Sequence, residues 1–343
     1  GMPGETLAYR VRARDAAFNR EPWHSPAGDT RTTFYARIIS GGTVDARGYP
    51  VAYPQIIVSP DPALPVQAGA DGSYLAYTRS LLDTTVTATA GGHGTTPPLH
   101  LTGPGDQQAF HVLPPASDAI VNGGFEEPLA TGWQPYGFVV NRSAGAAHTG
   151  DRGVHFGPAN AGAAPHGVMQ TVTIPPGWHR PTLSLLYRGT TSGAAPGLTV
   201  WVDGEGGKTA VLENVPAAPG WQHAWADLSP WAGQTVNVRV EMATPPGTLK
   251  AALEVDEVTL GPWLAPVLAE VAPARLPAGG GSPPVLELRG ANFIAPVEVR
   301  IDGVRLGGMA WVNDTWVRIQ APSGLGLGGH DVQLLNPGGA WDI

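Results

Sequence analysis

The chain has 343 residues and a formal net charge of −8, from 20 basic and 28 acidic side chains. It has no cluster of Lys and Arg, which excludes the basic surface that holds nucleic acid, and no apolar run of roughly 18 residues, which excludes a membrane-spanning helix. It has no cysteine, so disulfides, thiolate metal sites and a cysteine nucleophile are excluded as well.

Alternation of apolar and polar residues recurs along the chain, whereas helical periodicity is almost missing. From Thr235 to Met242 every second residue is apolar, which is typical of a strand with one buried and one solvated face. Glycine (47 residues) and proline (35 residues) are frequent, and turn signals return about every 8–12 residues, as in β-sandwiches. The sequence therefore predicts an all-β fold of tandem sandwich modules joined by short linkers, such as residues 113–115 and 261–263.

Residues 1–34 predict a hairpin, because inward alternation at Tyr9 and Val11 is followed by a polar turn at residues 15–19. The stretch resembles the last two strands of a fibronectin type III domain, with Phe18 where that family has glycine. Two strands alone are marginally stable in water. We therefore expect this partial module to belong to a longer chain, or to be covered by another module or another chain.

Residues 35–115 carry the string GGTVDARGYPVAYPQIIV, followed by ADGSYLAY and TTVTATAGG. They resemble a carboxypeptidase regulatory-like domain, which implies a transthyretin-like sandwich without catalytic function. Tight turns are expected at residues 45–48 and 71–72, because Asp and Gly tolerate a positive φ. Val86 and Ala88 are expected in the core of this module.

Residues 116–263 open with AIVNGGFEEPLATGW and close with LEVDEVTL, with HTGDRGVHFG and LTVWVDG between them. In this order the motifs resemble the jelly-roll domain of secreted bacterial proteins that is related to carbohydrate-binding modules. The resemblance implies a jelly-roll sandwich.

Residues 264–343 resemble an IPT/TIG domain, which implies an immunoglobulin-like fold. The residues that carry this resemblance are Pro273, the turn at 279–281, Gly290, Asn292, Phe293, Pro322 and residues 336–339. The last strand is expected to be cut short at Ile343, as in a fragment of a longer protein.

Three acidic residues of the jelly-roll module are candidate ligands for a structural calcium ion. In the modules that it resembles, calcium often ties the first strand to the last, and the matching positions are Glu126 and Asp256. Asp151 lies in a loop that often adds ligands. Calcium takes roughly six to eight oxygen ligands, which carboxylates distant in sequence and adjacent in the fold can supply. The alternative is that Glu126 and Asp256 cap the sheet ends by accepting hydrogen bonds from backbone N–H groups.

Aromatic residues of the same module predict a carbohydrate-binding face, since seven of the 11 Trp residues belong to it. Alternation assigns the neighbours of Trp201 and of Trp225 to the core, so both rings are expected on solvated faces. Trp133, Tyr136 and Phe138 lie near an end loop and are expected to line a cleft. Sugar recognition needs such apolar faces with a few polar groups. The alternative is that another module covers these rings, or that they are scattered singly, as is normal on surfaces.

The sequence offers no catalytic set. Glu126 and Glu127, and likewise Asp256 and Glu257, are neighbours whose side chains would point to opposite faces of a strand, so neither pair can flank a glycosidic bond. The 10 His residues are dispersed without ligand spacing, and no nucleophile elbow is present. We therefore expect that the chain is not an enzyme.

Together these features predict a non-catalytic segment of a larger bacterial protein, extracellular or on the cell surface, with a structural or adhesive role. Incomplete terminal modules leave strand edges that could assemble into a filament or stalk by strand addition. The alternative is a carbohydrate-binding accessory region of a secreted polysaccharide-acting enzyme. The expected partners are polysaccharides or other surface proteins, and the expected cofactor is calcium.

Overall fold

The computed structural model describes residues 6–9, 30–33, 37–61, 66–80, 83–137, 139–159, 165–191, 193–246, 250–263, 265–276, 283–293, 297–336 and 341–342. Strands form nearly all of its regular structure, which confirms the predicted all-β class. Two 3₁₀ turns, Ala144–Ala146 and Ser229–Trp231, are the helical elements of these segments. Within them, no helix has the length and apolar character needed to cross a membrane.

The first strands are a short antiparallel pair followed by a sandwich. The strands are β1 (Thr6–Tyr9), β2 (Thr30–Thr33), β3 (Arg37–Val44), β4 (Gln55–Ser59), β5 (Val66–Ala68), β6 (Ser73–Thr78), β7 (Thr84–Thr89), β8 (Leu99–Leu101) and β9 (Gln107–Val112). β1 pairs with β2, and the rest of the hairpin predicted for residues 1–34 lies outside the described residues. The sandwich has sheets β5-β6-β3-β9 and β4-β7-β8, and Val86 and Ala88 lie in its core, as predicted.

The second sandwich has two five-stranded antiparallel sheets. Its strands are β10 (Gln134–Tyr136), β11 (Val140–Ser143), β12 (Gly153–Ala159), β13 (His166–Thr173), β14 (Thr182–Thr190), β15 (Gly197–Gly204), β16 (Gly207–Pro216), β17 (Gln222–Asp227), β18 (Thr235–Ala243) and β19 (Ala251–Gly261). The sheets have the orders β10-β13-β18-β15-β16 and β11-β12-β19-β14-β17. Between them lies the largest hydrophobic core described, which includes Leu198, Val200 and Val202.

The strands of the third sandwich are β20 (Val267–Ala272), β21 (Val285–Ala291), β22 (Glu298–Ile301), β23 (Val304–Arg305), β24 (Ala310–Asn313), β25 (Trp316–Gln320), β26 (Val332–Leu335) and β27 (Trp341–Asp342). They form two four-stranded sheets, β20-β21-β25-β24 and β23-β22-β26-β27, which enclose a third core. Each sheet pair has its own hydrophobic cluster. The module boundaries at residues 34/35, 115/116 and 263/264 stay predictions.

Arg47 joins the first sandwich to the second. Its guanidinium carbon lies 3.2 Å from the ring centroid of Trp263 and 5.0 Å from that of Trp225. Its Nε donates to Oγ1 of Thr182 at 2.8 Å, and its side chain is only 2% exposed. A buried guanidinium needs such partners because it loses its hydration. The two sandwiches therefore contact each other directly through Arg47, in addition to the linker between them.

Residues of all three sandwiches meet around a cavity of about 80 Å³. The Ala52 N–H donates to Oδ1 of Asp314 at 2.9 Å, which links the first sandwich to the third. Asp45 lines the same cavity, and its Oδ1 accepts the N–H groups of Arg47 and Tyr49. Burial raises the pKa of Asp45 and that of Asp314 to about 6.

The raised pKa of Asp45 predicts how stability at this junction depends on pH. Because the folded-state pKa lies above the usual 3.8, stability from the neutral acid is present below pH 3.8 and is lost as the pH rises through 6. Asp45→Asn keeps the Oδ1 acceptor and does not titrate. We expect the variant to match the wild type near pH 3.5 and to be more stable by up to about 3 kcal/mol above pH 6.5.

The measurement is the unfolding free energy of both proteins in denaturant across this pH range. Taking the difference between them removes the opposite contribution of the partly buried His93 and the fully buried His111, whose pKa desolvation lowers to about 4. A difference that does not change with pH would contradict the assignment.

Candidate functional site

The outer face of the sheet β10-β13-β18-β15-β16 carries a cluster of aromatic and charged side chains. Trp201 lies on β15 between Val200 and Val202, which are fully buried, so its ring points away from the core and is half-buried. In register with it on β18 is Arg239. Strand alternation thus predicts correctly the face on which Trp201 lies.

Glu241 is the centre of this cluster. Its Oε2 accepts a hydrogen bond from Trp201 Nε1 at 2.8 Å, and its Oε1 accepts one from the Tyr136 hydroxyl at 2.8 Å. The ammonium of Lys208 lies 3.3 Å from the same Oε1. The Glu241 side chain is only 10% exposed. A carboxylate this buried needs such donors to offset its lost hydration, and it fixes both rings in return.

Tyr136 reaches Glu241 because Gly167 lies between them. Tyr136 pairs with Gly167 on β13, and Gly167 pairs with Glu241 on β18. A Cβ atom at Gly167 would lie 2.5 Å from the Tyr136 hydroxyl oxygen, so a larger residue would displace the ring. Burial, and then the hydrogen bond to Glu241, raises the pKa of Tyr136. The hydroxyl is therefore a donor at neutral pH.

Two ion pairs give the cluster a mixed charge. Arg239 Nη2 lies 3.1 Å from Oδ2 of Asp203, and Lys208 Nζ lies 3.3 Å from Oε1 of Glu241. Lys208 Nζ also lies 4.2 Å from the ring centroid of Trp201. With Glu241, these groups are two cations and two anions around one aromatic ring. Such a face matches a neutral ligand that has apolar C–H surface and many hydroxyl groups.

Trp225 belongs to another surface. It lies on β17, in the other sheet of the sandwich, and is 38% exposed. Arg47 of the first sandwich lies over its ring, so the ring is at the contact between two sandwiches. The structure therefore places Trp201 with Tyr136 and separates both of them from Trp225.

Trp133 does not line a cleft, and this corrects the sequence prediction. The ring is 1% exposed and packs on Phe125 with the ring centroids 5.5 Å apart. Its Nε1 donates to the Asn122 carbonyl at 3.0 Å. It is therefore a core residue. Phe138, which we expected beside it, lies outside the described residues.

The three candidate calcium ligands lie around one loop. Glu126 Oε1 accepts the N–H groups of Asp151 and Arg152, and Asp256 Oδ2 accepts those of His148 and Thr149. These contacts are those of the alternative interpretation, in which the carboxylates cap backbone groups. The Asp151 side chain is 83% exposed, and its Oδ1 lies 3.8 Å from Nε2 of His100. It therefore points to solvent and does not form one ligand group with Glu126 and Asp256.

In the described part of the chain, no group of three or more His, Asp and Glu side chains could hold a metal ion. Asp256 is fully buried, and burial, then the charge of Glu257, raises its pKa well above the usual value. The Thr149 hydroxyl is buried without a hydrogen-bond partner, which suits an oxygen ligand for a cation. Calcium as a cofactor stays a prediction.

The pair Asp256 and Glu257 also differs from its prediction. The register of β14 with β19 shifts at this point, and Glu257 has a φ of +52°, so a bulge interrupts strand alternation. Both carboxylates therefore reach His148, Asp256 through the backbone N–H and Glu257 through Nδ1 at 2.6 Å. The Asp256 side chain is fully buried and that of Glu257 is 9% exposed.

Sequence reasoning missed Glu241 and Lys208 as members of the cluster. The signal was present for Glu241, because it shares the solvated face of β18 with Arg239, as alternation shows. Lys208 pairs with Asp203 across the β15-β16 hairpin. This pairing could be predicted from the sequence only if the position of the hairpin turn were known.

No protein-family model and no curated protein matches the chain. Solved structures do match one part of it. A CBM61 module in complex with β-1,4-galactotriose is similar over 43% of this chain and 99% of its own length, at 16% identity and a TM-score of 0.35. The CBM22-1 xylan-binding domain of Paenibacillus barcinonensis Xyn10C is similar over 43% and 94%, at 18% identity and a TM-score of 0.33.

The C-terminal family 22 carbohydrate-binding module of Clostridium thermocellum Xyn10B is similar over 43% of this chain and 93% of its own length, at 14% identity and a TM-score of 0.31. Likeness at these identities and TM-scores carries no information about the ligand of this chain.

The calcium prediction has a direct test in thermal melting. If Glu126 and Asp256 hold calcium, 2 mM EDTA should lower the melting temperature relative to 2 mM CaCl₂, by several degrees for a site of ~2 kcal/mol. Asp256→Asn should abolish the difference, and Asp302→Asn, in the third sandwich, is the matched control. An equal melting temperature in both buffers would remove the calcium site and leave the backbone caps.

Proposed function

We propose that the chain binds saccharides through the face around Trp201, as a non-catalytic and extracellular carbohydrate-binding segment of a polysaccharide-acting protein. The observation that carries the proposal is Glu241, a nearly buried carboxylate that holds the rings of Trp201 and Tyr136 at an otherwise solvated sheet face. A fold has little structural reason to bury a carboxylate beneath half-exposed rings, because desolvation of the charge is costly.

The chemistry of the face matches that of a sugar. The ring of Trp201 offers an apolar surface for the C–H groups of a pyranose, and it is held in place before the ligand arrives, which lowers the entropy cost of binding. Around the ring, the Tyr136 hydroxyl, Glu241, Arg239 and Asp203 offer donors and acceptors for hydroxyl groups. Their charges balance, which favours a neutral saccharide.

A structural role has one supporting observation of its own. The buried Arg47 between Trp263 and Trp225 favours a rigid arrangement of the first two sandwiches, as a spacer requires. Adhesion and assembly into a filament through terminal strands stay predictions, because the side chains of β1, β2 and β27 are outside the described set.

Binding to a panel of neutral polysaccharides tests the proposal. The panel includes xylan, β-1,4-galactan and cellulose, in affinity electrophoresis and then calorimetry with the oligosaccharides retained. Trp201→Ala should weaken binding at least about 30-fold, as for the loss of a central Trp contact of ~2 kcal/mol. Tyr136→Phe, which keeps the ring and loses the hydroxyl, should weaken it by about threefold to tenfold.

The matched control is Trp225→Ala, because it removes a half-exposed Trp from the other sheet of the same sandwich. It should leave saccharide affinity unchanged, even if contact with Arg47 makes it less stable to heat. The proposal fails if no polysaccharide of the panel is retained, or if Trp225→Ala weakens binding and Trp201→Ala does not.

A further inference from the structure

Lys208 lies over the Trp201 ring, on which the proposed saccharide ligand stacks. It is the second residue of β16, the edge strand of the sheet, directly after the turn that joins β15 to β16. Its Nζ lies 4.2 Å from the ring centroid of Trp201 and 3.3 Å from Glu241 Oε1. The side chain is 40% exposed, so part of it faces solvent.

In this position Lys208 competes with a saccharide. A sugar that stacks on this side of Trp201 needs the space above the ring, which the ammonium holds by a cation–π contact. A hydroxyl group that donates to Glu241 needs a lone pair of Oε1, which already accepts from Tyr136 and is paired with Lys208. Both contacts of Lys208 must therefore be broken before the ligand is seated on that side.

A second carboxylate is available to Lys208 when it leaves. Asp203 is its cross-strand partner on the same sheet face, and the Asp203 side chain is 33% exposed and paired with Arg239. Cross-strand neighbours on one face are close enough for long side chains to interact. Lys208 thus has two anionic positions, one over the ring at Glu241 and one beside it at Asp203.

We propose that Lys208 is a cover of the saccharide site, which the ligand displaces from Glu241 and Trp201 toward Asp203. This inference rests on the proposed function and adds to it the residue that limits affinity. Lys208 makes an exposed cation–π contact and an ion pair to a nearly buried carboxylate, and the ligand must break both. Removal of Lys208 is therefore expected to lower the dissociation constant of the saccharide about tenfold.

The test compares Lys208→Ala with the wild type and with Lys250→Ala. Lys250 is the only other lysine of the chain and is exposed in the loop before β19, so its variant has the same charge change away from the face. Binding is measured by calorimetry with neutral oligosaccharides, in 20 mM and in 500 mM NaCl. We expect Lys208→Ala to bind about tenfold more tightly than the wild type and Lys250→Ala to match the wild type.

Salt gives a second readout that a purely structural role would not move. Because salt screens the pair of Lys208 and Glu241, the wild type should bind a neutral saccharide more tightly in 500 mM NaCl. Lys208→Ala should show no such gain.

The binding results distinguish failure of the Lys208 proposal from failure of the proposed saccharide site. Equal or weaker binding by Lys208→Ala, with binding still lost in Trp201→Ala, overturns the cover and leaves the saccharide site. If neither the wild type nor Lys208→Ala binds any saccharide, both proposals are overturned.

Discussion

The hydrogen bonds to one carboxylate, that of Glu241, organise the face on which the proposed function depends. A nearly buried carboxylate loses most of its hydration, and hydrogen bonds from Trp201 and Tyr136, with the ion pair to Lys208, offset that cost. The two rings come from strands at different places in the sheet. The carboxylate is the group that joins the two rings, because each of them donates a hydrogen bond to one of its oxygens.

The two sheets of the second sandwich serve different purposes. The outer face of the sheet with β17 meets the first sandwich, where Arg47 stacks on Trp263 and lies near Trp225. The outer face of the sheet with β15 carries Trp201 and the proposed saccharide site. The described contacts with the first sandwich through Arg47 and the proposed site therefore lie on opposite sheets of the second sandwich.

Strand alternation explains what the sequence could predict. It placed Val200 and Val202 in the core and Trp201 on the opposite face, because β15 keeps an unbroken register with β18, and the register shifts in its pairing with β16 do not change the alternation along β15 itself. The same alternation holds for Trp225, but it cannot say what lies beyond a face, and there another sandwich packs against it. Trp133 precedes β10 in a loop, where alternation has no meaning, and the bulge at Glu257 reversed the expected direction of a carboxylate.

The most direct test of the saccharide face is an NMR titration of the chain labelled with ¹⁵N on its tryptophan indoles. The Trp201 indole N–H is identified by its absence in Trp201→Phe, and that of Trp225 in the same way. As a retained neutral oligosaccharide is added, the Trp201 signal should shift progressively, because its N–H donates to Glu241 beside the ligand, while the Trp225 signal stays in place. A titration that shifts Trp225 and leaves Trp201 unchanged would contradict a site built on Glu241.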